Sequence, residues 1–314
     1  MIKLGIMGLN EGNGHPYSFS AIFNGYDEKA LGICPFPVIR GYLQRYHKNQ
    51  VFIKNARVTH IWTQEREISE KIARVSKISN IADNPLDFIS EVDGVILARD
   101  DPWNHWRMAK PFLERRIPIY IDKLLAHNVE DLNKFIDACG DNFPIMAGSS
   151  SRYTRNIEKA KREIDVEGIK TIHGVSKCTW LRYTSHLLDG ICYLFGTEVK
   201  SVQNIGKKGF DVVRLEYKSG LNVLLQVIED ISLPIEFTCY ANNRIGHYTV
   251  VFSDRDFSSY FYGFCQMLKK FVDMVKTGEQ PISFDEMVRI ARIIIAGEVS
   301  REEGNRVVYL DEFK

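Results

Sequence analysis

Several things this sequence lacks narrow its function before any motif is read. It has no surplus of charge. Lys and Arg number 41 against 40 Asp and Glu, a net of +1, so nothing draws the chain in general to nucleic acid or anionic lipid. It has no long hydrophobic run. The greasiest stretch, residues 290–296, is short and interrupted by Arg292, far below the roughly 20 apolar residues a helix needs to cross a bilayer. The N-terminus passes from one lysine straight into glycines and reads as a strand, not a signal peptide. None of the six cysteines (34, 139, 178, 192, 239 and 265) forms a Cys-x-x-Cys pair or sits at zinc-ligand spacing. That pattern implies reduced thiols in a cytoplasmic protein and no metal site. No repeat or low-complexity stretch is visible. What remains, 314 residues that are 45% hydrophobic and 26% charged, is a globular chain of about two domains.

The first half alternates strand and helix patterns. Residues 3–9 predict a first strand. Residues 16–26 predict a helix, with Phe19, Ile22 and Phe23 on one face and Pro16 near its first turn. A second strand is expected over 58–63 and a helix over 65–76, with Ile68, Ile72 and Val75 at helical spacing. Residues 92–98 have the composition of a buried strand. A helix over 103–116, a strand over 117–121, a helix around 129–136 and a strand over 143–147 follow. This alternation argues for an α/β Rossmann domain, a doubly wound parallel sheet.

The second half has another grammar. After a helix over 152–164 come period-two segments at 210–217, 221–227, 235–241 and 247–252. In the first, Val213, Leu215 and Tyr217 alternate with Arg214 and Glu216. Period two with one polar face argues for an α+β domain with a largely antiparallel open sheet. Two helices, one carrying Phe261 to Val275 and stopped by Thr277-Gly278, the other carrying Met287 to Ile294, lead to a last strand over 306–310. The boundary falls near residues 120–150, and the domains are taken as 1–125 and 126–314.

A glycine-rich segment, Gly8-Leu9-Asn10-Glu11-Gly12-Asn13-Gly14-His15-Pro16, follows the first strand. A loop there can bring backbone close to a pyrophosphate, with the next helix presenting N–H groups. The spacing is longer than G-x-G-x-x-G. Gly8, Leu9, Asn10, Gly12 and Gly14 are the candidate phosphate contacts. The acid that would hold a ribose 2′-hydroxyl is missing, because the second strand ends in Thr63. Arg66 is the candidate for a 2′-phosphate or a solvated helix residue, so NAD and NADP both stay open. The prolines of residues 34–38 predict an ordered insertion near the cofactor cleft. Lys123 follows a parallel strand, at the carboxyl edge where open α/β sheets bind ligands.

Several segments, taken in order, resemble the Gfo/Idh/MocA oxidoreductases, the glucose–fructose oxidoreductase and inositol dehydrogenase group. They are Val92-Asp93-Gly94-Val95-Ile96-Leu97-Ala98, Asn104-His105, Ile119-Tyr120-Ile121-Asp122-Lys123-Leu124-Leu125-Ala126, His186-Leu187-Leu188-Asp189 and Arg306-Val307-Val308-Tyr309-Leu310. The third is similar to the family's Glu-Lys-Pro motif, with Asp122 for Glu and Leu124 for Pro. The resemblance implies a nicotinamide dinucleotide on the first domain, NAD or NADP. It implies a sugar, sugar derivative or cyclitol against the second, and a homodimer or homotetramer. Ala98, Arg99 and Asp122 are expected on the cofactor side, His105 either there or as a cap of its own helix, Lys123 at the cofactor–substrate junction, and His186 on a helix of the second domain. Lys123 and His186 are then the catalytic candidates, with Arg182 and Tyr183 beside them for substrate.

Hydride transfer from a C–OH must be matched by proton transfer on oxygen. An ammonium orients that oxygen and an imidazole relays its proton. One departure bears on this. The family often has Asp four residues before the histidine, and this chain has Arg182. An Asp would raise the imidazole pKa, whereas an Arg lowers it and accepts no proton. Either His186 acts with Arg182 clamping an anionic substrate group, or it only binds and Lys123 is the sole acid–base group. The rival reading is a catalytically degenerate member that binds a ligand or partner as a regulatory or structural subunit. A third is an enzyme that uses tightly held NAD for redox-neutral elimination or hydrolysis.

Overall fold

The computed structural model describes residues 1–47, 52–140, 143–232, 234–241, 247–252 and 257–313. The chain divides into two compact units. The first comprises 1–125, 134–147 and 264–284, and the second 126–133, 148–263 and 285–314.

In chain order the first elements are β1 (Ile2–Met7), α1 (His15–Asn24), α2 (Pro37–Tyr42), β2 (Ala56–Trp62), α3 (Arg66–Ser76), β3 (Asn80–Ile81), β4 (Gly94–Leu97), α4 (His105–Glu114), β5 (Ile119–Asp122), α5 (Val129–Cys139) and β6 (Ile145–Gly148). The six strands form one sheet in the order β3-β2-β1-β4-β5-β6, and the pairs β1–β2, β1–β4, β2–β3 and β4–β5 are parallel. This is the doubly wound sheet expected from the alternation, and the order reverses between β1 and β4. Its strands are buried on both faces, so they read as continuous apolar runs. Val95, Ile96, Leu97, Ile119, Tyr120 and Ile121 are all fully buried, at about 1.5–3 kcal/mol of transfer energy for a large aliphatic side chain.

Local chemistry sets the ends of α1. Pro16 sits in its first turn, and Gly25 stops it at φ 73°, a value a glycine takes without steric cost. The helix therefore ends two residues before the expected 26 and begins one residue before the expected 16. Asn24 then ties three elements together, donating to Val58 O (2.8 Å) and Ser76 O (3.1 Å) and accepting from Val58 N. Between α1 and β2 the described residues include α2 and a π-helical turn over Leu43–His47. Phe36 and Ile39 from it press on the glycine loop: a Cβ at Gly14 would lie 2.4 Å from Ile39 and 2.5 Å from Phe36.

The second unit draws on α6 (Arg155–Glu163), β7 (Ile169–Lys177), α7 (Trp180–Phe195), β8 (Val199–Asn204), β9 (Phe210–Tyr217), β10 (Asn222–Ile228), β11 (Glu236–Ala241), β12 (His247–Val251), α9 (Phe284–Glu302) and β13 (Val308–Tyr309), with α8 (Ser258–Thr277) falling between β12 and α9 in the chain. Its seven-stranded sheet has the order β12-β11-β7-β10-β9-β8-β13. All pairs are antiparallel except β7 with β10. Val213, Leu215, Val223, Leu225 and Val227 are fully buried on one face, as the period-two pattern requires. Strand β7 escapes the sequence pattern because Gly174 interrupts its apolar alternation. A Cβ there would meet Leu225 at 2.8 Å, so glycine is what lets the β10 side chain cross. The last strand is shorter than expected, because Leu310–Phe313 turns into a 3₁₀ helix. Among the described residues no helix is long and apolar enough to cross a membrane.

Candidate functional site

The loop after β1 is a tight turn held from three sides. Asn13 N–H donates to Asn10 O at 3.1 Å, and Gly12 at the third position of that turn has φ 79°, where glycine is the residue of least strain. Gln64, just past β2, pairs both ways with the Leu9 backbone, accepting its N–H at 3.2 Å and donating to its carbonyl at 2.7 Å. Gly8 has φ 83°, and a Cβ on it would lie 2.4 Å from Arg99 Cδ. The Arg99 side chain therefore lies against the loop, itself anchored on Asp101 through Nε (2.7 Å) and Nη2. Burial works to raise the Asp101 carboxyl, but the hydrogen bonds from Arg99 and Asn104 hold it below the usual carboxylate range.

Two carboxylates dominate the centre. Asp100, after β4, receives Lys123 Nζ at 2.8 Å and Asn10 Nδ2 at 2.7 Å. The Lys123 and Asp100 side chains are only 4% and 6% exposed. Asp122, at the end of β5, receives Asn13 Nδ2 at 2.9 Å and faces His15 Nδ1 at 2.5 Å. Neighbouring residues on one strand end thus reach different loops. The peptide between Lys123 and Leu124 is cis. His105 is fully buried, with Nδ1 2.6 Å from Leu124 O and Nε2 3.0 Å from Arg99 O. Burial pushes its ring below the ordinary histidine value, while the two carbonyls pull the other way. It ties the loops after β4 and β5 to the start of α4.

The start of α1 departs from the usual phosphate cradle. His15 N–H is taken by Asn13 Oδ1 at 2.9 Å, Pro16 has no N–H, and Tyr17 N–H is taken by Gly14 O at 3.0 Å. Among the described residues the amides of Gly12 and Gly14 have no hydrogen-bond partner. The first turn of α1 carries no acidic residue. Among the described residues the backbone donors left over at this loop are therefore its glycine amides and not those of the first helical turn. Just past β2, Thr63 is engaged within its own turn, its hydroxyl donating to Glu65 O at 2.7 Å. Arg66 is exposed and paired with Asp83 and Glu70. Ala98 is buried in backbone contact with Met7 O at 3.0 Å.

In the second unit, α7 carries Arg182, Tyr183 and His186. Thr179 caps the helix by accepting Arg182 N–H at 3.4 Å. Trp180 fixes its start, its ring within 2.7 Å of where a Gly297 Cβ would stand and its Nε1 donating to Ile294 O at 2.8 Å. The Nδ1 of His186 lies 2.7 Å from the Ser149 hydroxyl, and the Tyr183 and His186 rings are 5.1 Å apart. Asp189 instead accepts Ser149 N–H at 2.7 Å and pairs with Arg152 at 3.1 Å. Arg152 also reaches Glu286 at 2.7 Å. Burial pushes the Asp189 carboxyl up against the pull of Arg152.

No protein-family model and no curated protein matches the sequence. Solved structures do match, over the whole length. A probable dehydrogenase from Thermotoga maritima is 17% identical, with a TM-score of 0.75 and 100% of each chain covered. The scyllo-inositol dehydrogenase from Lactobacillus casei, solved with bound cofactor NAD(H) and scyllo-inositol, is 12% identical, with a TM-score of 0.76 and 99% of each chain covered. An oxidoreductase from Agrobacterium radiobacter in complex with NAD+, L-tartaric acid and magnesium is 13% identical, with a TM-score of 0.72, and covers 100% of this chain and 99% of its own. The chain has the fold of these dehydrogenases. The residues that carry its polar centre and that motif reading missed are Asn13, His15, Gln64, Asp100 and, in the second unit, Ser149 and Arg152. The one visible signal was a histidine directly after the last loop glycine, where a side chain starting a helix faces the sheet edge.

Proposed function

We propose that this chain is a Gfo/Idh/MocA-type oxidoreductase, using NAD or NADP to interconvert a secondary alcohol and a ketone on a sugar, sugar derivative or cyclitol. The observation that carries the reading is the buried Lys123 ammonium. It is held by Asp100 at 2.8 Å at the carboxyl edge of a doubly wound sheet, next to the strand-order reversal where such sheets bind ligands. The shared fold with dehydrogenases solved holding NAD(H) and an inositol supports it. The cofactor would lie on the loop of Gly8, Leu9, Asn10, Gly12 and Gly14, with Arg99 and His105 fixing the loops around it. When bound, it supplies the hydride acceptor. Lys123, paired with Asp100, would orient the reacting hydroxyl and steady negative charge as it develops on oxygen. His186, with Arg182 and Tyr183 on the same helix, is proposed as a substrate-binding group. A homodimer or homotetramer in the cytoplasm is part of the proposal, and size-exclusion chromatography checks the assembly.

A second reading, a ligand-binding or regulatory subunit without catalysis, draws on one observation. The N–H groups of Leu9, His15 and Tyr17 are already taken within the chain. Fluorescence titration with NADH and NADPH separates the two. Saturable binding of either, with NADH or NADPH formation from myo-inositol, scyllo-inositol or D-glucose, is the expected result. Binding of neither removes the oxidoreductase reading.

A further inference from the structure

We propose that His15 and Asp122 form a proton-relay dyad, in which His15 Nε2 exchanges the proton of the substrate hydroxyl and Asp122 positions and balances the ring. The proposal deepens the oxidoreductase reading and rests on it. Four observations on the first unit converge.

The carboxylate of Asp122 is 3% exposed and stands 2.5 Å from His15 Nδ1. Asn13 braces both members, donating to Asp122 at 2.9 Å and accepting His15 N–H at 2.9 Å. The ring is held flat as well. It stacks on Phe19 with centroids 4.4 Å apart and planes at 21°, and Phe264 meets it edge-on at 5.2 Å. A buried carboxylate at Nδ1 selects the tautomer that carries its proton there and leaves the lone pair on Nε2. That atom has no hydrogen-bond partner among the described residues, and the side chain remains 19% exposed.

Topology puts this pair at the reacting end of the sheet. His15 opens α1, directly after the loop that follows β1, while Asp122 ends β5, with β4 between them in the sheet. The ring therefore sits on the β4–β5 side of the strand-order reversal, the opposite side from the loop after β2. Asp122 also adjoins Lys123 in the chain, so one strand end supplies both an ammonium clamp and the support for an imidazole.

The step balances as follows. The carbinol C–H bond breaks and its hydride, with the electron pair, reduces the bound NAD+. The O–H bond breaks and its proton passes to His15 Nε2. The carbon–oxygen double bond forms from the freed oxygen pair. The resulting imidazolium is neutralised by the Asp122 carboxylate and later yields its proton to water. Reduction runs the same steps backwards.

Nitrogen-15 NMR of the histidine rings in the full chain reads the dyad without cofactor. The neutral wild-type His15 ring is expected to carry its proton on Nδ1, and Asp122→Asn is expected to lose that preference. Single-turnover NADH formation, from NAD+ and the most active of myo-inositol, scyllo-inositol and D-glucose, reads the function. His15→Gln should slow it by about 100-fold or more while NADH affinity stays within about threefold. Added imidazole should restore part of the rate to His15→Ala, which a purely structural role would not allow. A wild-type ring protonated on Nε2, or a His15→Gln rate within about threefold of wild type, overturns the dyad. Failure of the wild type to bind NADH overturns the parent reading instead, so the two failures are distinct.

Discussion

In the first unit His15 Nδ1 meets the carboxylate of Asp122 at 2.5 Å, whereas in the second His186 Nδ1 meets the hydroxyl of Ser149 at 2.7 Å. The two histidines look alike by distance and differ in chemistry. A carboxylate only accepts and so fixes the tautomer, whereas a hydroxyl that both donates and accepts does not. The second unit does have a buried carboxylate close by, in Asp189. Its capacity is taken up by Ser149 N–H and by Arg152, so it braces the scaffold and does not back the imidazole. The same residue types, histidine and aspartate, are thus partnered with each other in one unit and separately in the other. Spacing in a motif does not tell them apart; the identity of the atom at Nδ1 does.

The largest expected effect tests the scaffold side of that contrast. Arg152→Met leaves Asp189 buried without its cation. It should cost about 3–5 kcal/mol of stability, read as a fall in the denaturant midpoint. Lys123→Met should cost less, about 1.5–3 kcal/mol, because Asp100 keeps the Asn10 amide at 2.7 Å. It should nevertheless slow turnover by about 100-fold or more while NADH affinity is kept. Equal stability losses, or an unaffected rate, would break the distinction between a structural and a working ion pair.

Gly8→Ala comes next. The added Cβ would stand 2.4 Å from Arg99 Cδ at a φ of 83°, which should cost about 1–3 kcal/mol and loosen the loop. A thermal melt and an NADH titration check both. Smaller still is Ser149→Ala, at about 1 kcal/mol. It frees the His186 ring from its hydroxyl, and proton NMR should report a more mobile ring with the fold intact. If Ser149→Ala instead matched His15→Gln in its effect on turnover, the ranking of the two imidazoles would be reversed.

Much of this architecture was legible in the sequence for a physical reason. Parallel strands buried on both faces appear as apolar runs, and one-sided antiparallel strands appear as alternation, so the first sheet could be read from residues 3–147 and strands β9 to β12 of the second from residues 210–252, while β7 and β8 went unread. The position of Lys123 directly after a parallel strand was legible because the apolar run of residues 117–121 stops just before it. The centre around it was not. His15 meets Asp122 across 107 positions, and Asn10 meets Asp100 across 90. Such contacts are made by the return of the chain over the sheet and leave no periodicity. Strand β7 was hidden by Gly174, and the partner of Asp189 by the distance between residues 152 and 189. The Gfo/Idh/MocA resemblance points to His186 and carries no signal for His15, the first residue of α1.

Acidification should separate the units last and most gently. Burial lowers the ring pKa of His47, His60 and His105, and all three belong to the first unit. Folded rings with a lowered pKa bind fewer protons than unfolded ones. The stability they permit is therefore complete above about pH 6.5, the unfolded value, and falls as pH drops below it. In the second unit burial instead raises the carboxyl pKa of Asp189 and Glu298. Those groups take up protons in the folded state before the unfolded one, so falling pH toward their folded values favours folding there. Hydrogen exchange between pH 7.5 and pH 5 should show protection falling first on β1, β2 and α4. Strands β9 and β10 should hold theirs over the same range. Near neutrality the difference should be slight, since few rings are protonated even in the unfolded chain. Uniform loss of protection across both sheets would show that the buried histidines do not govern the acid side of the stability curve.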